Sequence, residues 1–210
     1  MDLTSECLRF VKNISWDEVF NFWRKGEENI PRWIQHYKAG GYKSWDEWRK
    51  HTLSDLSYKD LHWELFEVEN PMQTVPNFFG GPFRAWKARY YNRGDTVTFS
   101  DLAKNKELQA SQIIQEMIIN FPNKTYLIGL KTNKGIIIIE GMHRCCALAI
   151  AEQDKKPIQT EVFIALAEFK GELSEMSKRV SVVVTVTLVI LLIVATAWFI
   201  YGHQTSVMII

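Results

Sequence analysis

Residues 126–151 read YLIGLKTNKGIIIIEGMHRCCALAIA, and this stretch decides the fold that the sequence predicts. Two apolar runs, 126–131 and 136–140, flank a Thr-Asn-Lys-Gly segment whose Asn and Gly tolerate the positive φ angles of a tight turn. The pattern therefore predicts a β-hairpin. A run as apolar as Ile136–Ile139 is typical of a buried central strand, and the residues after Gly141 predict a helix.

Further elements are predicted on both sides of this hairpin. We predict strands over residues 61–68 (LHWELFEV) and 159–167 (QTEVFIALA), and helices near 100–106 and 109–120. Asn70-Pro71 ends the first of these strands, because the residue before a proline avoids the helical region. We therefore assign residues 61–170 to one domain, a mixed sheet with helices, and the fold class is α+β.

The N-terminal region, residues 1–60, is rich in Trp and charge, and one phrase occurs in it twice. Ser15-Trp16-Asp17-Glu18 and Ser44-Trp45-Asp46-Glu47 both match the capping box that begins a helix. The region is therefore predicted to be helical, with helices near 15–25, 31–38 and 44–52. The spacing of Trp16, Phe20 and Trp23 predicts a buried helix face, with a ligand-stacking surface as the alternative.

Residues 180–201 (VSVVVTVTLVILLIVATAWFIY) are almost continuously apolar, and every charged side chain lies at or before Arg179. At about 1.5 Å per residue this length crosses the roughly 30 Å hydrocarbon core, which predicts a single C-terminal transmembrane helix. The alternative is a buried helix or a pair of buried strands. Lys178-Arg179 predict a cytosolic soluble part by the positive-inside rule. We expect a tail-anchored protein with a juxtamembrane linker at 171–179 and a short tail at 202–210.

The composition excludes several classes of protein. A hydrophobic fraction of 47% and a charged fraction of 23% are typical of a chain that folds. The net charge of +1 gives no overall electrostatic case for nucleic acid, although a local basic patch remains compatible with it. Three cysteines, two of them adjacent, are too few for a disulfide framework and indicate a reducing compartment.

The chemistry concentrates where the predicted buried strand ends and the next helix begins, at residues 139–145 (IEGMHRC). The free amides and the dipole of a helix N-terminus attract anions. Arg144 adds a planar bidentate donor, His143 adds a second donor, and Gly141 permits close approach of an anion. This pattern favours a phosphate site. The alternative is that Glu140 pairs with Arg144 and that His143 caps the helix, and spacing alone leaves both open.

Residues 138–149, Ile-Ile-Glu-Gly-Met-His-Arg-Cys-Cys-Ala-Leu-Ala, resemble the Asp/Glu-Gly-x-His-Arg-x-x-Ala signature of the ParB/sulfiredoxin superfamily. That superfamily includes ParB nucleotide-binding domains, sulfiredoxin and free-serine kinases. Residues 68–73 (VENPMQ) resemble the segment that opens many ParB-like domains. The resemblance covers roughly residues 61–170.

The resemblance implies that Gly141, His143 and Arg144 bind a phosphate or a nucleotide, ATP or CTP, together with the amides near Cys145. Met142 stands where sulfiredoxin has its catalytic Cys, and a thioether cannot act as the thiolate nucleophile. Sulfiredoxin activity is therefore not expected. A partitioning ParB would also need a helix-turn-helix and a dimerisation domain, whereas this chain continues into the apolar segment.

A basic stretch lies upstream, at residues 84–93 (RAWKARYYNR). Cations interleaved with aromatic rings suit nucleotide stacking, phosphate clamping or nucleic-acid binding, and the alternative is a solvated loop whose rings join the core. If this stretch folds over the 141–144 junction, Arg84 becomes the second phosphate ligand.

Three classes of function follow from these patterns. The first is an enzyme for phosphoryl transfer or nucleotide hydrolysis, in which Mg²⁺ offsets phosphate charge and Glu140 or Glu69 binds the metal or acts as general base. The second is a non-catalytic nucleotide-sensing or interaction module held at a membrane. The third is nucleic-acid binding through residues 84–93.

Overall fold

A computed structural model describes residues 7–52, 58–91 and 96–170, all of which belong to one compact unit. The strands are β1 (Leu8–Ile14), β2 (Trp63–Val68), β3 (Phe79–Gly80), β4 (Lys124–Thr132), β5 (Gly135–Glu140) and β6 (Glu161–Glu168). The helices are α1 (Trp16–Glu27), α2 (Pro31–Ala39), α3 (Trp45–Thr52), α4 (Pro71–Thr74), α5 (Arg84–Tyr90), α6 (Phe99–Leu102), α7 (Lys106–Gln109), α8 (Gln112–Ile119) and α9 (Met142–Gln153).

The strands form one six-stranded mixed sheet with the order β1-β2-β6-β4-β5-β3. β4 and β5 are antiparallel, β3 is parallel to β5, and β6 is parallel to β4 and antiparallel to β2. It follows that β2, β3 and β5 run in one direction and that their carboxyl ends lie at one edge of the sheet.

Helices cover both faces of this sheet. On one face Leu127 of β4 and Ile164 of β6 belong to the main hydrophobic core, together with the buried side of α9. On the other face Tyr126 of β4 stacks on Phe22 of α1 at 4.4 Å between ring centroids. Because both faces are covered, all four residues of Ile136–Ile139 are buried, which confirms the prediction of a buried strand.

Several local predictions are confirmed. The β4–β5 hairpin turns at the predicted segment, and Gly135 there has a φ of +119°. The predicted N-terminal helices correspond to α1, α2 and α3, and Ser15 completes a capping box with Glu18 at the start of α1. Phe20 and Trp23 are buried as the helical spacing predicts, whereas Trp16 on the same face is only half-buried.

The predicted fold class was wrong as a whole, although α+β with a mixed sheet describes the structure. The N-terminal region is not only helical, because residues 8–14 form β1 and pair with β2 in the sheet. The sequence did not reveal this strand because β1 is an edge strand whose residues 9–13 are all exposed, so no alternation of buried and exposed side chains marks it.

The second correction to the fold class concerns the predicted transmembrane helix. Of the helices in residues 7–52, 58–91 and 96–170, none has both the length and the apolar character needed to span a bilayer. The predicted transmembrane segment 180–201, its linker and its tail lie outside the described residues. The fold class is therefore corrected to an α+β unit built on one mixed sheet.

The stretch after β3 also differs from the solvated loop that was one of its predicted alternatives. Residues 84–90 form α5, a short helix. Gly81 precedes it and approaches the neighbouring strand so closely that a Cβ there would lie 2.3 Å from the carbonyl oxygen of Ile138. The absence of a side chain at Gly81 therefore lets the chain turn from β3 into α5 directly against β5.

Candidate phosphate-binding site

The candidate site lies at the edge of the sheet where β5 ends. Gly80 of β3 pairs with Ile138 of β5 in parallel register, so both strands end at this edge. α5 begins shortly after β3 and α9 begins directly after β5. The sheet topology therefore brings the basic stretch and the 140–144 junction together, at the carboxyl ends of strands where open sheets commonly bind ligands.

Gly141 makes the turn from β5 into α9. Its φ is +103°, in the left-handed region that favours glycine, and a Cβ there would lie 2.4 Å from Cδ2 of Leu127. No side chain caps α9. In the part of the chain that the structure describes, the amides of Met142, His143 and Arg144 have no acceptor, as expected for the first turn of an uncapped helix.

The amide of Cys145 does not belong to this set. It donates to the carbonyl oxygen of Gly141 at 2.9 Å, as the first hydrogen bond of the helix. The predicted contribution of Cys145 to phosphate binding therefore reduces to the three amides before it. Burial raises the pKa of both the Cys145 and Cys146 thiols, so neither is a ready thiolate.

Arg144 turns back toward the start of its own helix. Its Nη1 donates to Oγ1 of Thr125 at 2.5 Å, and its Nη2 pairs with Glu140. The Arg144 and Glu140 side chains are only 19% and 13% exposed. The pairing that the sequence left open is thus formed, and Thr125 is a partner that nothing in the local sequence indicates, because β4 alone brings it there.

Several neighbouring groups act on the pKa of Glu140 in opposite directions. Burial raises the pKa of Glu140, the charge and hydrogen bond of Arg144 lower it, and the net direction is upward. Glu27 also raises this pKa and Arg49 lowers it, so a second ion pair from the helical layer lies within electrostatic reach. Glu140 is therefore bound to a cation and disfavoured as a charged group, which does not suit a free general base.

His143 is the second residue of α9. Burial, followed by the positive charges of Arg32 and Arg144, lowers the pKa of its ring to about 4. The ring is therefore neutral at neutral pH and offers one N–H donor rather than a positive charge. It does not cap the helix; instead its ring lies 5.2 Å from the ring of Trp86 in α5, at an interplanar angle of 68°.

The contact between Trp86 and His143 shows that α5, which carries the basic stretch, packs against the start of α9. Arg84 is the first residue of α5, and its side chain lies outside the part that the structure describes. Arg89 forms an ion pair with Glu107. The cation of Arg89 is therefore already engaged within the fold.

Glu69 is not close to Glu140. It follows β2, and β6 and β4 lie between β2 and β5, which separates the two strands by about 14 Å at roughly 4.8 Å per spacing. Glu69 is exposed, and its backbone is engaged by Cys7 and Thr74. Among the described residues no three His, Cys, Asp or Glu side chains converge to hold a metal ion.

A second buried ion pair, between Glu27 and Arg49, was not predicted from the sequence. Glu27 of α1 accepts from Nε and Nη2 of Arg49 of α3 at 2.9 and 2.5 Å, and from Nε1 of Trp45 at 2.9 Å. The helical spacing predicts an aromatic face here, but it does not indicate that a cation lies among the rings.

Comparisons with known proteins add no assignment to this geometry. No protein-family model, no curated protein and no solved structure matches this chain. The resemblance of residues 138–149 to the ParB/sulfiredoxin superfamily therefore stays a prediction that rests on those residues.

Proposed function

We propose that this protein binds the phosphate groups of a nucleotide at the N-terminus of α9. The observation that carries the proposal is the set of three amides, from Met142 to Arg144, that have no acceptor within the described residues. They lie at the end of a buried strand, directly after Gly141, whose lack of a side chain lets the backbone turn closely against Leu127.

The charges around these amides favour an anion. The N-terminus of a helix carries about half a positive charge, and the guanidinium of Arg144 lies 3.5 Å from the position of a Cβ at Gly141. Glu140 offsets the charge of Arg144 but not that of the helix. A phosphate at the amides would therefore compensate a positive potential that the described chain leaves in place.

Binding without turnover is the activity that these residues support best. Glu140 is held by Arg144, and Glu69 is three strand spacings away, so the two carboxylates do not form a joint metal or base site. An incoming phosphate would compete with Glu140 for Arg144, which makes Glu140 a modulator of affinity.

A second candidate function is a protein-interaction module without a nucleotide. One observation counts against Arg144 as a phosphate ligand and so leaves room for this alternative: its side chain already has two partners, Glu140 and Thr125, as a structural arginine does. In that case the role of Arg144 is to lock α9 onto the sheet.

The experiment is thermal unfolding of the full-length chain with ATP, CTP or inorganic tripolyphosphate, each with and without Mg²⁺. A ligand at 100 times its dissociation constant adds about 2.7 kcal/mol to stability, which raises the melting temperature measurably. The decisive variant is His143→Glu, because a carboxylate in the first turn repels a bound anion while it suits the helix dipole. His143→Gln keeps a donor and should weaken the shift only in part.

Gln112→Glu is the matched control, since it places the same carboxylate in the first turn of α8, at an exposed position away from the site. The proposal requires that His143→Glu abolish the ligand-induced shift and that Gln112→Glu preserve it. If no ligand raises the melting temperature of the wild type, the phosphate site is disproved and the interaction module becomes the better account.

A further inference from the structure

We draw no further inference here: the strongest candidate, the outer edge of the sheet at β1, where the side chains of Phe10 and Val11 are exposed, carries none because nothing in the described part of the chain shows what covers it.

Discussion

Two arginine–glutamate pairs among the described residues are largely enclosed, and their surroundings differ. Arg49 and Glu27 lie in the helical layer, where the guanidinium is 3.8 Å from the ring centroid of Trp48 and 4.7 Å from that of Trp23. Arg144 and Glu140 lie at the sheet edge, with the hydroxyl of Thr125 as a third partner. Both pairs are largely removed from water, so burial alone does not tell them apart.

The difference lies in the helices that carry the pairs. The helix that carries Glu27 and the helix that carries Arg49 begin with a serine, Ser15 or Ser44, whose hydroxyl accepts an amide of the first turn. The helix that carries Arg144 begins at Gly141, with no side-chain acceptor. An uncapped start is not confined to α9, because α2, α4, α5 and α8 also lack a side-chain cap. We place the ligand at α9 because its uncapped start directly follows the buried strand β5 and carries Arg144.

Removal of Arg49 should have the largest effect on stability. Arg49→Met leaves the carboxylate of Glu27 buried without its cation, and breaking a buried pair in this way costs about 3–5 kcal/mol. Urea unfolding monitored by circular dichroism measures the loss. The double variant Glu27→Gln/Arg49→Met should lose less, because no uncompensated charge remains.

The double variant Glu27→Gln/Arg49→Met also tests whether the helical layer and the candidate site are separate. If the folded double variant no longer shows the ATP-induced melting shift, the Glu27–Arg49 pair belongs to the binding site and the division between the two regions is wrong. Equal losses for the single and the double variant would instead show that the rings, and not the charge, hold this layer together.

The elements whose signals lie within a few neighbouring residues were predicted correctly from the sequence. The hairpin of β4 and β5 follows from its turn residues, and α1 follows from the capping box at Ser15. β1 was missed because an exposed edge strand carries no period of two, and α5 was not expected because the basic stretch shows no helix signal. Which strands lie side by side depends on contacts distant in sequence.

The same division holds for the candidate site. Gly141, His143 and Arg144 could be singled out from the sequence because glycine, helix start and donors are adjacent in the chain. The pairing of Arg144 with Thr125 joins residues that only the return of the chain into β4 brings together. Trp86 could be noticed as one ring of a basic stretch, but its contact with His143 depends on the parallel register of β3 and β5.

The pH dependence of stability should report His143. Its pKa is lowered from 6.5 to about 4, so its contribution to stability is complete above pH 6.5 and is lost as the pH falls through 4. At roughly 1.4 kcal/mol per pKa unit the full loss is about 3 kcal/mol. Urea unfolding of wild type and His143→Gln between pH 7 and about 4 measures the difference.

The comparison with His143→Gln is needed because Glu140 acts in the opposite sense. The raised pKa of Glu140 gives a contribution that is present at low pH and is lost as the pH rises. Glu140 is present in both the wild type and His143→Gln, so its contribution cancels when their free energies of unfolding are subtracted. If the difference in free energy of unfolding between wild type and His143→Gln does not decrease as the pH falls, the ring of His143 is less enclosed than we describe.

Removal of Arg144 should cost less than removal of Arg49. Arg144→Met leaves Glu140 without its cation, but the pKa of this carboxyl is already raised, so it takes up a proton more readily. We expect a loss of about 2 kcal/mol at pH 7, the typical worth of a charged hydrogen bond, and a smaller loss at pH 5. Unfolding at the two pH values measures both, and Arg144→Met/Glu140→Gln should show no such pH dependence.

The smallest expected effect concerns the helix starts. Ser15→Ala removes the acceptor for the amide of Glu18, now at 3.2 Å, and should cost about 1 kcal/mol in urea unfolding. Ser111→Ala at the start of α8 is the control, because the side chain of Ser111 makes no capping bond there and its loss should leave stability almost unchanged. Neither variant should alter the ATP-induced melting shift, since neither helix start is the proposed phosphate site. A reduced shift in Ser15→Ala would mean that the helical layer contributes to binding.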